Sequence, residues 1–182
     1  EALYADAQKA IADEDYDEAQ NLASSIREEY PFSPVATDAE LLSADVMYAR
    51  EDYEEAAAAF RAFEENHPAH ARVAYAIYRR GLSYHKLLES SDRDQTPTRM
   101  MVEVMARLAR AYPESEYASD ASQKAREGRN LLASHELGVA EYYVRKEKPD
   151  SARQRLEGLL KDFPDSDFAP EAQRLLSTLP AK

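Results

Sequence analysis

Pro31, Pro68, Pro113 and Pro164 each stop a helix-like run directly after Tyr30, His67, Tyr112 and Phe163, and a similar opening of a new run follows each of them. Pro31-Phe32-Ser33-Pro34-Val35-Ala36-Thr37-Asp38-Ala39 returns as Pro113-Glu114-Ser115-Glu116-Tyr117-Ala118-Ser119-Asp120-Ala121. It returns again as Pro164-Asp165-Ser166-Asp167-Phe168-Ala169-Pro170-Glu171-Ala172, and more loosely from Pro68 to Ala76. Self-similarity on this scale marks a chain of stacked repeats, each burying its apolar face only against its neighbours. Arrays of helix pairs mostly hold other proteins in a groove.

The first two copies align at a spacing of 37 residues, Tyr16 with Tyr53, Ala19 with Ala56, Ala23 with Phe60 and Ile26 with Phe63. Each copy reads as two helices. Asp17-Glu18 and Glu54-Glu55 favour the start of the second helix, where the backbone dipole attracts negative charge. Ala19 and Ala56 fall where two helices must approach closely, and the apolar positions after them recur at three and four, as one buried stripe. A proline then cannot continue the helix and biases the residue before it out of the helical region. Ser33, Ser115 and Ser166 suit an N-cap, with Pro34, Glu116 and Asp167 at the first helical position.

Copies three and four are longer, with 45 residues from Pro68 to Pro113 and 51 from Pro113 to Pro164. The third carries its surplus as a polar loop, Glu89 to Thr96, before Pro97 restarts a helix. The fourth keeps its surplus as helix: no proline interrupts Ser115 to Glu147, and Ala121, Ala125, Leu132, Val139 and Tyr143 keep helical spacing. That predicts one rod of about 50 Å. The expected architecture is all-α, a solenoid of about nine helices in one domain, 1–182. Its repeats run at about 2–31, 34–68, 70–113 and 115–164, with a half repeat at 167–179.

Four glycines, no tryptophan and no cysteine fit a helical chain without disulfides, thiol chemistry or Cys-based zinc. No apolar run nears the roughly 20 residues that span a bilayer. The chain opens on Glu1 without Met or a secretory leader, which reads as a mature or trimmed segment. Its net charge of −12 is uneven: residues 1–66 hold 18 acidic and 4 basic residues, a net of −14, and the rest hold 17 and 19, a net of +2. The first part would repel nucleic acid and the rest would attract it only weakly, so nucleic acid is not expected as a partner.

Catalytic patterns are missing. His67 and His70 lie three apart across a helix break with no third ligand at a recognisable spacing, so neither a metal nor any other cofactor is expected. The glycines are single and make no phosphate loop. Glu28-Glu29, Glu54-Glu55 and Glu64-Glu65 fall on outer faces where nothing would raise a pKa for acid–base work. The expected function is not enzymatic.

The repeat resembles the tetratricopeptide repeat (TPR), a helix–turn–helix unit with Tyr, Ala, aromatic and closing Pro at these spacings. The implied fold is a TPR superhelix, an α-solenoid. More specific strings are Tyr30-Pro31-Phe32-Ser33-Pro34, Tyr75-Ala76-Ile77-Tyr78-Arg79-Arg80-Gly81-Leu82, Ser91-Asp92-Arg93-Asp94, Val139-Ala140-Glu141-Tyr142-Tyr143 and Leu156-Glu157-Gly158-Leu159-Leu160-Lys161-Asp162-Phe163-Pro164. Their order, from about Leu3 to Leu179, resembles the BamD family, the lipoprotein subunit of the outer-membrane β-barrel assembly machine.

That resemblance implies a protein of the periplasmic side of the outer membrane, lipid-anchored at a Cys this chain does not contain, in a family of five repeats. It implies two protein contacts. An N-terminal groove would take the C-terminal targeting segment of unfolded outer-membrane proteins, and the C-terminal repeats would dock the POTRA domains of BamA beside other lipoproteins of the machine. For the groove, Tyr48, Tyr75 and Tyr78, with Tyr4, offer aromatic surface, and Arg79, Arg80 or Arg50 offers a fork for a terminal carboxylate. Tyr75, Tyr78 and Leu82 also suit plain packing between helices. For BamA, the family places an arginine at Arg155, and Tyr142, Tyr143, Arg145 and Arg153 lie near it in sequence. Arg153 and Arg155 point about 200° apart on a helix. A surface pair of Arg155 with Glu157 or Asp150 is the alternative use of that side chain. Two other functions fit the same repeats: a free periplasmic adaptor for envelope or cell-division proteins, and a regulatory domain cut from an enzyme.

Overall fold

Nine α-helices and no strand make up the described residues of the computed structural model, which are 2–88, 90 and 93–180. They are α1 (Ala2–Ala12), α2 (Tyr16–Glu29), α3 (Pro34–Ala49), α4 (Tyr53–Asn66), α5 (Val73–Lys86), α6 (Thr96–Ala111), α7 (Ala118–Arg145), α8 (Pro149–Asp162) and α9 (Ala169–Thr178). Each helix packs on its neighbour in chain order, and α1 also reaches α3. Glu89, Ser91 and Asp92 of the polar loop, and with them part of the Ser91–Asp94 string, lie outside the described residues.

The prolines act as their chemistry dictates. The residues before them close α2, α4, α6 and α8 with nearly one geometry: φ −129° and ψ 49° at Tyr30, −129° and 53° at His67, −132° and 60° at Tyr112, −133° and 52° at Phe163. A following proline disfavours the helical region at those positions. The turns inside three repeats share another device. Glu14, Glu51 and Glu147 adopt φ of 61°, 69° and 55°. The next N–H in each case reaches back around the helix end, Asp15 to Ala10, Asp52 to Met47 and Lys148 to Tyr143, at 2.8, 3.0 and 3.0 Å. These are left-handed caps that reverse the chain into an antiparallel helix pair.

Only Ser33 stands directly before its helix, its hydroxyl accepting from the Val35 N–H at 3.4 Å ahead of Pro34; the Ser115 hydroxyl accepts from the Tyr117 N–H at 3.3 Å in the same way, but further ahead of its helix. Ser115 and Ser166 are not caps, because α7 and α9 begin three residues later, at Ala118 and Ala169. Pro34 fixes a helical φ at the first position, and Glu116 and Asp167 lack that constraint. The same tight turn forms at all three places, with the Ala36, Ala118 and Ala169 N–H groups on the Ser33, Ser115 and Ser166 carbonyls, but only after Pro34 does it run straight into the helix. The rod is therefore α7 alone, 28 residues long, or about 42 Å rather than 50 Å.

Burial is divided into local cores, as expected of a stack. Ala19 and Ala56 are fully buried in two of them. Helix α7 joins two more: Ala121 and Ala125 pack with Val104 and Leu108, while Ala133, Leu137 and Ala140 pack with Leu156 and Leu159. Helix α7 thus ties the third repeat to α8 and α9.

Two glycines mark close approaches. A methyl at Gly81 would lie 2.7 Å from Met105 Sδ, and one at Gly128 would lie 2.5 Å from Val102 Cγ2. Gly138 has open space. Met105 can swing aside, whereas β-branched Val102 is stiff. Gly128→Ala is therefore expected to lower stability by about 1–3 kcal/mol. Gly138→Ala should raise it by about 0.5–1 kcal/mol. Thermal melts of the two variants check the contrast.

Candidate functional site

Helix α3 places Asp38, Asp45 and Tyr48 on one face, because seven and three residues are close to whole turns. Helix α5, with its cap Arg72, does the same for Arg72, Tyr75 and Arg79. These faces meet. Arg79 lies with its guanidinium carbon 4.0 Å from the centre of the Tyr48 ring, and its Nε is 2.9 Å from Asp45. The Tyr75 hydroxyl donates to the same carboxylate at 2.8 Å. Tyr117, at the mouth of α7, stacks on Tyr78 at 4.8 Å and 18°, and Tyr78 donates to Asp120 at 2.7 Å. Tyr48, Tyr75, Tyr78 and Tyr117 thus line up across three successive first helices. Arg72 extends the row to α1 by donating to the Tyr4 hydroxyl at 2.9 Å and to Asp38 at 3.3 Å.

The electrostatics fix the row in place. Burial pushes the Asp45 carboxyl above its ordinary range, against the opposing pull of Arg79 and the Tyr75 hydroxyl. Burial, joined by the Asp45 charge, pushes the Tyr75 phenol far up. Tyr78 is pushed up to about 12 by burial and by its bond to Asp120. Both phenols stay protonated and donate. Beside them a cleft of about 640 Å³ opens between α5 and the α6–α7 turn, lined among others by Arg72, Tyr75, Tyr112, Glu116 and Tyr117.

The arginines expected in the groove diverge. Arg79 lies inside the row. Arg80, one residue on and about 100° around the helix, points to Glu64, 3.4 Å away and shared with Arg107 at 2.6 Å. Arg50 pairs with Asp17. Each therefore faces a carboxylate of its own chain. Asp45, Arg72 and Tyr117 were not among the sequence candidates. The shared helix faces of Asp38, Asp45 and Tyr48, and of Arg72, Tyr75 and Arg79, were the available signal.

At the other end, Tyr142 is half exposed and meets Tyr143 edge-on at 5.6 Å, with the Lys146 amine 5.8 Å from its ring centre. Arg145 is exposed at the last turn of α7. Arg153 and Arg155 leave α8 on different sides. Arg153 donates to the Pro180 carbonyl at 2.5 Å, and Arg155 to Glu136 of α7 at 3.1 Å. The ion-pair partner of Arg155 is therefore Glu136, not Glu157 or Asp150. The reason is packing: α7 lies alongside α8, and a partner there is less exposed than one on α8's own outer face. The Arg155 side chain remains 46% exposed, against 17% for Glu136.

His67 sits 3.0 Å from Glu40 and His70 accepts from the Arg72 N–H, with both rings against Phe63. Among the described residues no group of three or more His, Cys, Asp or Glu is placed to hold a metal. No described helix is long and apolar enough to cross a membrane.

A family model described as YfiO, outer membrane lipoprotein, matches residues 1–179. The chain is 29% identical over 186 residues to the outer membrane protein assembly factor BamD of Neisseria meningitidis serogroup A, across 97% of this chain and 70% of that one. It is 28% identical over 177 residues to BamD of Vibrio cholerae, across 92% and 73%. Against BamD of Rickettsia prowazekii it is 28% identical over 144 residues, across 79% and 57%.

Proposed function

We propose that this chain, which belongs to the YfiO family of outer membrane lipoproteins, is a non-enzymatic scaffold in the assembly of outer-membrane proteins. Its relatives bear the name of that role. The whole chain acts as one helical-repeat domain at the periplasmic side of the outer membrane, held there by a lipid anchor of the full-length protein.

The reading carries two contacts. The first helices hold an extended segment, the C-terminal stretch of an unfolded outer-membrane protein, against Tyr48, Tyr75, Tyr78 and Tyr117. The observation that carries this half is that the row is fixed before anything binds: Asp45 holds Tyr75 and Arg79, and Asp120 holds Tyr78. Aromatic surface already ordered loses little entropy when a peptide covers it. Arg79, Arg80 and Arg50 are each matched by an internal carboxylate, so the groove grips through ring faces and backbone more than through a free guanidinium.

The second contact is with the POTRA domains of BamA, at the α7–α8 end. Arg155 is the anchor, for its side chain is 46% exposed and its bond to Glu136 uses one of five N–H donors. Tyr142, Tyr143, Arg145 and Arg153 edge the same end of the chain, alongside the other lipoproteins of the machine. Equilibrium binding of full-length BamA to the parent and to Arg155→Glu tests this half. Peptide titration tests the groove.

A further inference from the structure

We propose that the cleft beside the tyrosine row is a subsite for a cationic side chain, Lys or Arg, of the extended segment, and that Glu114 and Glu116 select it. The inference rests on the groove reading and adds to it a residue type that the segment carries. The cleft, of about 640 Å³, lies between α5 and the α6–α7 turn. Tyr75 and Tyr117 belong both to the row and to the lining of the cleft, and Tyr112 adds a third ring. A segment laid on the row therefore has this opening beside it. Ala71, Ala74 and Ala111 also line it, and such small side chains leave room for a long one.

Its charges do not balance. The charged residues of the lining are Arg72, Glu114 and Glu116. Arg72 is matched from outside the cleft, by Asp38 at 3.3 Å and by the Tyr4 hydroxyl at 2.9 Å. Glu114 and Glu116 are exposed, and among the described residues neither is in an ion pair. Arg110, exposed at the end of α6, does not line the cleft. Burial, and then its bond to Glu116, pushes the Tyr117 phenol above its ordinary value, so the hydroxyl donates to that carboxylate without neutralising it. Between the two glutamates, Ser115 pins the turn. Its N–H donates to the Tyr112 carbonyl at 3.0 Å, and its hydroxyl accepts from the Tyr117 N–H at 3.3 Å. Two unmatched carboxylates beside three tyrosine rings suit a cation, which pairs with the first and is drawn to a ring face by its quadrupole. One of these rings already holds such a group, for the Arg72 guanidinium carbon lies 4.8 Å from the centre of Tyr75. An incoming carboxylate would meet two charges of its own sign. The net charge of −14 on residues 1–66 attracts the same class of ligand from a distance.

Titration with three short synthetic peptides decides it. The first carries Phe at alternate positions with Lys at both ends of that series, so that all of them face one side of an extended strand in either direction. The other two have Gln or Glu in place of Lys. Binding is read from the resonances of Tyr48, Tyr75 and Tyr78 in the isotope-labelled chain. The parent should bind the Lys peptide about three- to tenfold more tightly than the Gln peptide, the scale of an exposed ion pair joined to a cation–π contact. The Glu peptide should bind least. In the double variant Glu114→Gln, Glu116→Gln the advantage of Lys should fall away. In Glu114→Lys, Glu116→Lys the Glu peptide should lead. If all three peptides shift the row of the parent with equal affinity, the cationic subsite is refuted and the groove stands. If the Lys advantage persists undiminished in the double Gln variant, it comes from the acidity of the chain at large, and the assignment to Glu114 and Glu116 is overturned. Peptides that leave the row unshifted remove the groove and this inference with it. Matching circular-dichroism melts of the parent and both double variants exclude a folding effect.

Discussion

Asp45→Ala is expected to lower the stability of the fold by about 3 kcal/mol, read as a shift of the denaturant midpoint, because it strands the charge of Arg79 in a largely enclosed position. The side chains of Arg79 and Asp45 are only 20% and 15% exposed. Two controls separate this cause from simple loss of packing. Asp45→Asn keeps an acceptor for Tyr75 and Arg79 and should lose less. Asp45→Ala combined with Arg79→Met removes both charges and should recover part of the loss, as paired removal of buried ions commonly does. A double variant at least as unstable as Asp45→Ala would show that the pair is not the cause. The pH dependence has a definite sign. The Asp45 carboxyl sits above its ordinary value in the folded chain, so the folded state binds this proton first. Asp45 therefore favours the fold as pH falls through its folded pKa, and that contribution is lost as pH rises through the same window. Asp45→Asn should abolish this component of the stability–pH curve.

On the proposed docking, Arg155→Glu is expected to weaken binding to full-length BamA by about 2 kcal/mol or more, the scale for breaking a desolvated interfacial charge pair. The same change puts a carboxylate beside Glu136. Because Arg155 is 46% exposed, the cost to the fold stays within about 1 kcal/mol. A large loss of binding with a nearly unchanged melt is the expected pair of results. Retained binding by a folded Arg155→Glu protein would mean that Arg155 serves the α7–α8 packing alone.

The stack itself was legible in the chain. Prolines after Tyr30, His67, Tyr112 and Phe163 name the ends of four helices, and Ala19 and Ala56 name two close approaches, because each is a local steric effect that repeats. The helix starts after Pro68, Pro113 and Pro164 were less legible. They lie five residues on, at Val73, Ala118 and Ala169, each after a turn of the i to i+3 kind, whereas the same turn at Ser33 runs straight into α3 because Pro34 fixes a helical φ. The candidate surfaces were legible only in part. Tyr48, Tyr75 and Tyr78 share a row that helical spacing suggests, but Tyr117 joins it only through the α6–α7 turn. Asp45 lies 30 residues from the Tyr75 it serves, Glu136 lies 19 from Arg155, and Arg72 reaches Tyr4 across 68. Nothing periodic links such partners. Adjacent Arg79 and Arg80 look like one basic pair in sequence, yet the 100° step between them sends one to Asp45 and the other to Glu64.

One stack of helices is proposed to present two separate contact surfaces, the aromatic row of Tyr48, Tyr75, Tyr78 and Tyr117 for an extended segment and the α7–α8 end for BamA. The most direct measurement is a resonance-by-resonance titration of the isotope-labelled chain with a peptide from the C-terminus of an outer-membrane protein. The account predicts shifts at Tyr48, Tyr75, Tyr78 and Tyr117 and along α3 and α5, with α8 and α9 unmoved. Shifts centred on α8 and α9, with the tyrosine row silent, would contradict it.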